Sequence, residues 1–326
     1  MNSRSSLILS VSAILALVFL AAAREIQSGP EAAQAQCPPM HCQMIRAGEI
    51  EAIIGDGAGH RTRPGIWAMS SINHQFSIMK NMSSGMLAGE FRGKANTVLE
   101  YIDDSTSAIK REPTPDYPTR ARLVFRARGP YYLDTELTLS DTQDRLKGVP
   151  WDFRAVAVNC YVNSPDDLRA HFLAGGEWTA FIPEKHAGPG TDIAPSYLKD
   201  SELEVWPKVD DPPFNWYKRN EKRFDEPFYY GRFGKMVLVL VFDQPRWIRF
   251  YLSPEGGGES LIPGMTSPAW DFEWIIPRKD YQTKREYLFR TCLVYKQYVS
   301  DEDVLREVRK VQADLGYETV AQLKGN

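Results

Sequence analysis

YYLDTELTL, residues Tyr131 to Leu139, alternates apolar and polar side chains with period two. Tyr131, Leu133, Thr135, Leu137 and Leu139 point one way; Tyr132, Asp134, Glu136 and Thr138 point the other. That period is a half-buried β-strand, because successive side chains of a strand face opposite sides of the sheet. Working outward, Ala121–Arg128, Trp151–Val162, Arg246–Leu252, Trp270–Ile276 and Glu286–Val299 read as further strands. Met236–Phe242 (MVLVLVF) has no polar face, which predicts a strand covered on both sides. Turn residues separate the runs: Gly129-Pro130, Ser164-Pro165, Gly175-Gly176 and Pro254 through Gly258. The rhythm predicts an all-β fold, a large antiparallel β-sandwich.

One helix is predicted at the C-terminus. Ser300 is a good N-cap, Asp301, Glu302 and Asp303 fill the first turn, and Gly316 follows the end. Val304, Val308, Val311 and Leu315 recur at helical spacing, so the helix of about 301–315 should dock on the sandwich. No internal repeat divides the body, and residues 48–326 are expected to be one domain. Thr179–Lys222 is rich in Pro, Asp and Lys with isolated aromatics. A loop of that length in a compact domain is usually functional or mobile.

The start of the chain carries an address. Arg4 precedes an apolar run from Leu7 to Leu20, with small residues at Ala21–Ala23 and again at Ala33 and Ala35. This order predicts a secretory signal peptide over residues 1–23, with cleavage as late as 35 as the second choice. The alternative is an uncleaved anchor, although a bilayer span needs roughly 20 apolar residues. A lipid-modified Cys37 fits less well, since Gln36 is too large for the residue before the modified cysteine. Residues 24–47 are expected to be a poorly ordered lead-in. The expected location is periplasmic or extracellular.

Composition excludes some partners. A net charge of −3 on 326 residues, with acids and bases interleaved, does not suit nucleic acid or an acidic membrane surface. Aromatics make up 12%, with eight Trp and fifteen Tyr. In an exported protein that abundance points to carbohydrate, because flat rings stack on sugar faces; β-rich proteins also use aromatics in their cores. Four cysteines, Cys37, Cys42, Cys160 and Cys292, allow three pairings in an oxidising compartment. Cys37 and Cys42 favour a small local loop; Cys160 and Cys292 could pair or stay as buried thiols. Cys37, His41 and Cys42 lack a fourth ligand nearby, so no metal site is expected. No two of the five histidines share metal-ligand spacing, and there is no GxSxG elbow. No cofactor is expected.

The chemistry candidates are few. Asp134 and Glu136 share one face of a strand, about 7 Å apart, a separation used by paired carboxylates in glycoside hydrolysis. Asp271 and Glu273 repeat the arrangement. Tyr229, Tyr230 and Arg232 precede the most apolar strand. Arg232 can pair with a uronic acid or with Glu273, and a tyrosine beside it could move a proton if that charge lowered its pKa. The competing reading is a structural Arg–carboxylate bridge capped by packed tyrosines. His74, in Asn73-His74-Gln75-Phe76, is the best general-base candidate among the histidines. The candidate catalytic set is therefore His74, Tyr230, Arg232, Glu136 and Glu273, with Tyr229, Asp134, Asp271 and Trp270 as substrate-binding residues.

Glu226–Arg232, the glycines from Gly256, Pro268-Ala269-Trp270-Asp271-Phe272-Glu273, Tyr295-Lys296 to Asp303, and Tyr131–Asp134 resemble an uncharacterised family of exported bacterial all-β proteins. More distantly, the all-β pattern is similar to the supersandwich of galactose-mutarotase-like proteins, a scaffold shared by sugar epimerases and domains of polysaccharide lyases. Asn73-His74-Gln75-Phe76 resembles an Asn-His segment of mutarotases but lies early in the chain. The resemblance implies a carbohydrate-handling protein; whether as an acid–base enzyme, a non-catalytic binding protein or an envelope structural protein stays open.

Overall fold

The computed structural model describes residues 41–57, 63–80, 85–91, 97–149, 151–186, 190–199, 202, 220–254, 264–314 and 316–317. The expected signal peptide and most of the lead-in lie outside these residues.

Two antiparallel sheets carry the strands. The eight-stranded sheet runs in the order β1 (Cys42–Ala47), β2 (Ile50–Gly55), β3 (Gly65–Ser71), β4 (Met86–Ala88), β9 (Phe153–Cys160), β16 (Ala269–Pro277), β15 (Ile248–Ser253) and β12 (Asp192–Ile193). The nine-stranded sheet runs β11 (Glu177–Phe181), β10 (Ala170–Ala174), β13 (Phe228–Phe233), β14 (Met236–Phe242), β17 (Tyr287–Gln297), β8 (Tyr132–Asp141), β7 (Thr119–Arg128), β6 (Thr106–Arg111) and β5 (Thr97–Asp103). The ordered body begins earlier than the expected lead-in boundary at 47. Cys42–Ala47 pairs along its length with β2 and buries Ile45, so it is a strand of the sheet.

Alternation sets the two inner faces. Leu133, Leu137 and Leu139 of β8 and Leu238, Leu240 and Phe242 of β14 meet Val156 and Val158 of β9 and Phe250, Phe272 and Trp274 of β15 and β16 in one core. The residues between them face outward. β14 is apolar on both sides for a reason the run itself foretold. Its Val237, Val239 and Val241 face outward into a second cluster, under helix α1 (Asp301–Asp314), with Val304, Val308 and Val311. Ser300 caps the helix, its Oγ accepting from the Asp303 amide at 3.2 Å. Gly316 sits just beyond the end at φ +63°, in the left-handed region that glycine enters without steric cost.

The helix is pinned by acids on its sheet-facing side. Asp301 accepts from the Tyr230 hydroxyl at 2.5 Å and the Tyr298 hydroxyl at 2.8 Å. Asp303 pairs with Lys296 at 2.8 Å. Glu307 accepts from Tyr131 at 2.9 Å and from Tyr132. At the far end of the core, Arg154 of β9 reaches Asp141 of β8 at 3.0 Å and Glu90 at 2.9 Å, a buried ion triad joining the two sheets. Cys160 and Cys292 are free, buried thiols, whereas Cys42 is disulfide-bonded.

Candidate functional site

The sandwich distributes the expected site residues over its two outer faces, its core and one turn. Tyr230, Arg232, Asp134 and Glu136 lie on the outer face of the nine-stranded sheet. Asp271 and Glu273 lie on the outer face of the eight-stranded sheet, because Trp270, Phe272 and Trp274 of the same strand turn inward. Packed sheets are about 10 Å apart, so the two carboxylate pairs cannot share a cleft. The expected bridge from Arg232 to Glu273 does not exist. Arg232 instead stacks over the Tyr298 ring at 4.3 Å and donates to the Gly234 carbonyl at 3.4 Å.

Other candidates have structural partners. Tyr230 is buried against His171, ring centroids 4.8 Å apart, and its hydroxyl anchors α1 through Asp301. Burial first, then Asp301, push its phenol pKa up; the opposing charge of Arg232 is outweighed. A tyrosine tuned downward for proton transfer is therefore not what Arg232 makes of it. Tyr229 is fully buried and donates to the Trp270 carbonyl at 2.5 Å. Trp270 is also buried, its indole N–H on the Leu168 carbonyl at 2.8 Å, so neither offers a ring to a ligand. Asp134 is held by both ends of the Arg128 guanidinium, at 2.8 and 3.2 Å. Glu136 pairs with Arg290 at 3.1 Å. His74 closes a tight turn after β3 and meets the Tyr295 hydroxyl at 2.8 Å; its aromatic neighbours are Phe76 and Tyr295.

Asp271 and Glu273 keep different company. Antiparallel register places Tyr251 opposite Asp271, and Asp192 opposite Tyr251. On the other side, the Asn159 side-chain amide donates to Asp271 at 2.6 Å and the Cys160 backbone amide at 2.7 Å. One row of polar side chains, Asn159–Asp271–Tyr251–Asp192, thus crosses four strands. In the next row Arg249 faces Glu273. On the other side Ser253 binds the His186 ring at 3.0 Å. Residues directly opposite on neighbouring strands have Cβ atoms about 5 Å apart, so these groups lie within reach of one another. Asp192, Arg249 and Ser253 are at most 4% exposed, unlike the solvated acids and bases expected on an outer sheet face. Buried charge of this kind is costly unless partnered, and it concentrates where chemistry or recognition needs it.

The structure thus sets Asp271 and Glu273 among other polar groups and separates them from the remaining candidates. Arg249, Tyr251 and Ser253 carried a readable signal. Ile248-Arg249-Phe250-Tyr251-Leu252-Ser253 alternates strictly, with every second residue polar or polar-tipped. Asp192, in a two-residue strand inside the long Pro- and Asp-rich segment, carried none. Trp206, Trp216, Tyr217, His60 and the three glycines from Gly256 lie outside the described residues. Among the described residues, no group of three or more His, Cys, Asp or Glu side chains is arranged to hold a metal. No helix among them is long and apolar enough to cross a membrane.

No family model matches the chain, and no curated protein does. Several solved structures are similar in outline. A putative aldose 1-epimerase from Escherichia coli aligns at 7% identity over 79% of this chain and all of its own, TM-score 0.47. The aldose epimerase homologue from Caenorhabditis elegans aligns at 7% identity over 79% of this chain and all of its own, TM-score 0.40. A heparan sulfate lyase from Pedobacter heparinus aligns at 7% identity over 87% of this chain, TM-score 0.42, and this chain spans 42% of that enzyme. The chain is distantly similar to galactose-mutarotase-like structures. Identities this low describe backbone outline and transfer no residue roles.

Proposed function

We propose that the protein is an exported carbohydrate-handling protein, and that its site is the polar ladder on the outer face of the eight-stranded sheet. The observation that carries this reading is the row Asn159–Asp271–Tyr251–Asp192 with Arg249 and Glu273 beside it, Asp271 and Glu273 half-buried and the others buried, on a face that a plain sandwich would leave to solvent. The chemistry follows from the groups. Arg249 supplies a fixed cation that can pair with a uronate carboxylate. Asp192, Asp271 and Glu273 accept hydrogen bonds from sugar hydroxyls. Tyr251 and His186 can move a proton.

The finer proposal is cofactor-independent acid–base chemistry on a sugar polymer. In an elimination, Arg249 neutralises the carboxylate and a base removes the proton α to it. The electron pair forms the new C=C bond while the glycosidic C–O bond breaks, and an acid protonates the departing oxygen. Arg249 takes the part that sequence reasoning gave to Arg232, and Tyr251 that of Tyr230.

The test is a screen of the purified protein against acidic and neutral polysaccharides, read by absorbance of the unsaturated product and by reducing ends. Turnover abolished by Arg249→Gln and Tyr251→Phe but kept by Arg232→Ala supports the assignment. Specific binding without turnover moves the protein to the non-catalytic reading. Neither binding nor turnover on any saccharide overturns the proposal. Export is tested separately: the secreted form should begin at residue 24 or 36.

A further inference from the structure

Helix α1 covers only part of the nine-stranded sheet. Its apolar cluster spans β13, β14, β17 and the start of β8. Where the helix ends, near Tyr317, the covered half steps down to the outer face of β5–β8, which no helix covers among the described residues. That step is a groove of about 450 Å³, a size that ligand sites commonly have. It lies on the opposite outer face of the sandwich from the ladder.

Alternation decides what lines it. Arg122, Val124 and Arg126 of β7 face it, with Asp134 and Glu136 of β8 and Arg290 of β17 beside them. Three of the cations nearby are occupied: Arg122 by Glu100 at 2.9 Å, Arg128 by Asp134 at 2.8 Å, Arg290 by Glu136 at 3.1 Å. Arg126 is not. It stands opposite Asp134 in register, but Asp134 is taken at both oxygens by Arg128. Among the described residues Arg126 has no ion pair or side-chain hydrogen bond. A second orphan lies at the wall. Tyr317 is 5% exposed, lines the groove, and its buried hydroxyl has no hydrogen-bond partner among the described residues.

We propose that this groove is a separate saccharide site, which takes an acidic sugar with its carboxylate on Arg126. Three features select that class. The face alternates guanidinium donors with carboxylate acceptors, and a sugar hydroxyl is both donor and acceptor. Val124 on the floor and the exposed Ile102 at the rim offer apolar contact to a ring face. Among the described residues Arg126 is the lining cation without an ion pair, and its guanidinium is a planar fork suited to a single carboxylate. A compact dianion such as phosphate would meet Asp103, Asp134 and Glu136 at the same place. The proposal does not depend on the ladder being catalytic. It also gives Asp134 and Glu136 a role in binding, through hydroxyls, in place of the acid–base role that their spacing suggested.

The test is calorimetric titration of the full chain with trigalacturonate, with maltotriose and inorganic phosphate as comparison probes. Binding of trigalacturonate at least tenfold tighter than maltotriose, lost from one site on Arg126→Gln, is expected. Arg126→Lys should recover only part of it, because an ammonium lacks the fork. Both variants change an exposed side chain, and unchanged circular dichroism would show the fold intact. Arg249→Gln should leave the Arg126-dependent site in place, which separates failure of this proposal from failure of the ladder. No binding of trigalacturonate, wild-type binding by Arg126→Gln, or phosphate binding as tightly as the sugar would each overturn it.

Discussion

Replacing Arg154 by methionine should be the most damaging single change to the core that spares the proposed site. The arginine side chain is 8% exposed, Asp141 fully buried and Glu90 4% exposed. Its Nε holds Asp141 at 3.0 Å, one terminal nitrogen holds Glu90 at 2.9 Å, and the other donates to the Ala155 carbonyl at 2.6 Å. Asp141 keeps Thr119 at 2.5 Å and Tyr281 at 3.1 Å, and Glu90 keeps Tyr117 at 2.5 Å. Those hydroxyls satisfy oxygens but cancel no charge. Methionine fills the volume and leaves two carboxylates buried without their cation. Breaking a buried ion pair in this way costs about 3–5 kcal/mol. At roughly 2 °C per kcal/mol for a domain of this size, Tm should fall by about 6–10 °C in differential scanning calorimetry. The triple variant Arg154→Met, Asp141→Asn, Glu90→Gln should recover most of the loss, because a neutral network needs no counter-charge. A single-variant loss under about 1 kcal/mol would mean that the triad is solvated, and the account of how the sheets are joined would be wrong.

Three further outcomes follow from the packing. Tyr230→Phe removes the 2.5 Å bond to Asp301 and should cost about 1.5–3 kcal/mol in urea unfolding, with any saccharide turnover intact; lost turnover at unchanged stability would restore Tyr230 to the chemistry. Burial works against the charge on Glu307, but the Tyr132 and Tyr131 hydroxyls with Lys296 and Lys310 outweigh it and hold its pKa below the ordinary value. A depressed carboxylate contributes stability that is present above its unfolded pKa of about 4.3 and lost as pH falls through its folded pKa; Glu307→Gln should therefore narrow the stability gap between pH 7 and pH 3, and an unchanged gap would contradict the assignment. A Cβ at Gly231 would lie 1.9 Å from the Trp270 ring, so Gly231→Ala should displace that indole, cost about 1–3 kcal/mol or more, and alter tryptophan fluorescence.

Local pattern carried the elements, and it carried them well where burial is one-sided. Tyr131–Leu139 alternates because one face of β8 meets the core and the other meets water or the helix rim. Met236–Phe242 does not alternate, because α1 covers the side that water would otherwise take. The site was less legible. Asp134/Glu136 and Asp271/Glu273 look alike in sequence, but strand order puts them in different sheets, and that order is set by contacts far apart along the chain. Tyr230 and Arg232 stood beside the most buried strand, and this is where the helix docks: their neighbourhood was informative about packing rather than chemistry. Arg249 and Tyr251 were hidden in a run read only as a strand, although its polar face was already in the alternation.

The claim with most resting on it is that the polar ladder holds sugar. The most direct measurement is the affinity of Arg249→Gln for an acidic oligosaccharide that the wild-type protein binds or turns over, set beside Arg232→Ala at equal folded fraction. The ladder predicts at least tenfold weaker binding or turnover for Arg249→Gln and wild-type behaviour for Arg232→Ala. The reverse order, with Arg232→Ala impaired and Arg249→Gln unaffected, would contradict it.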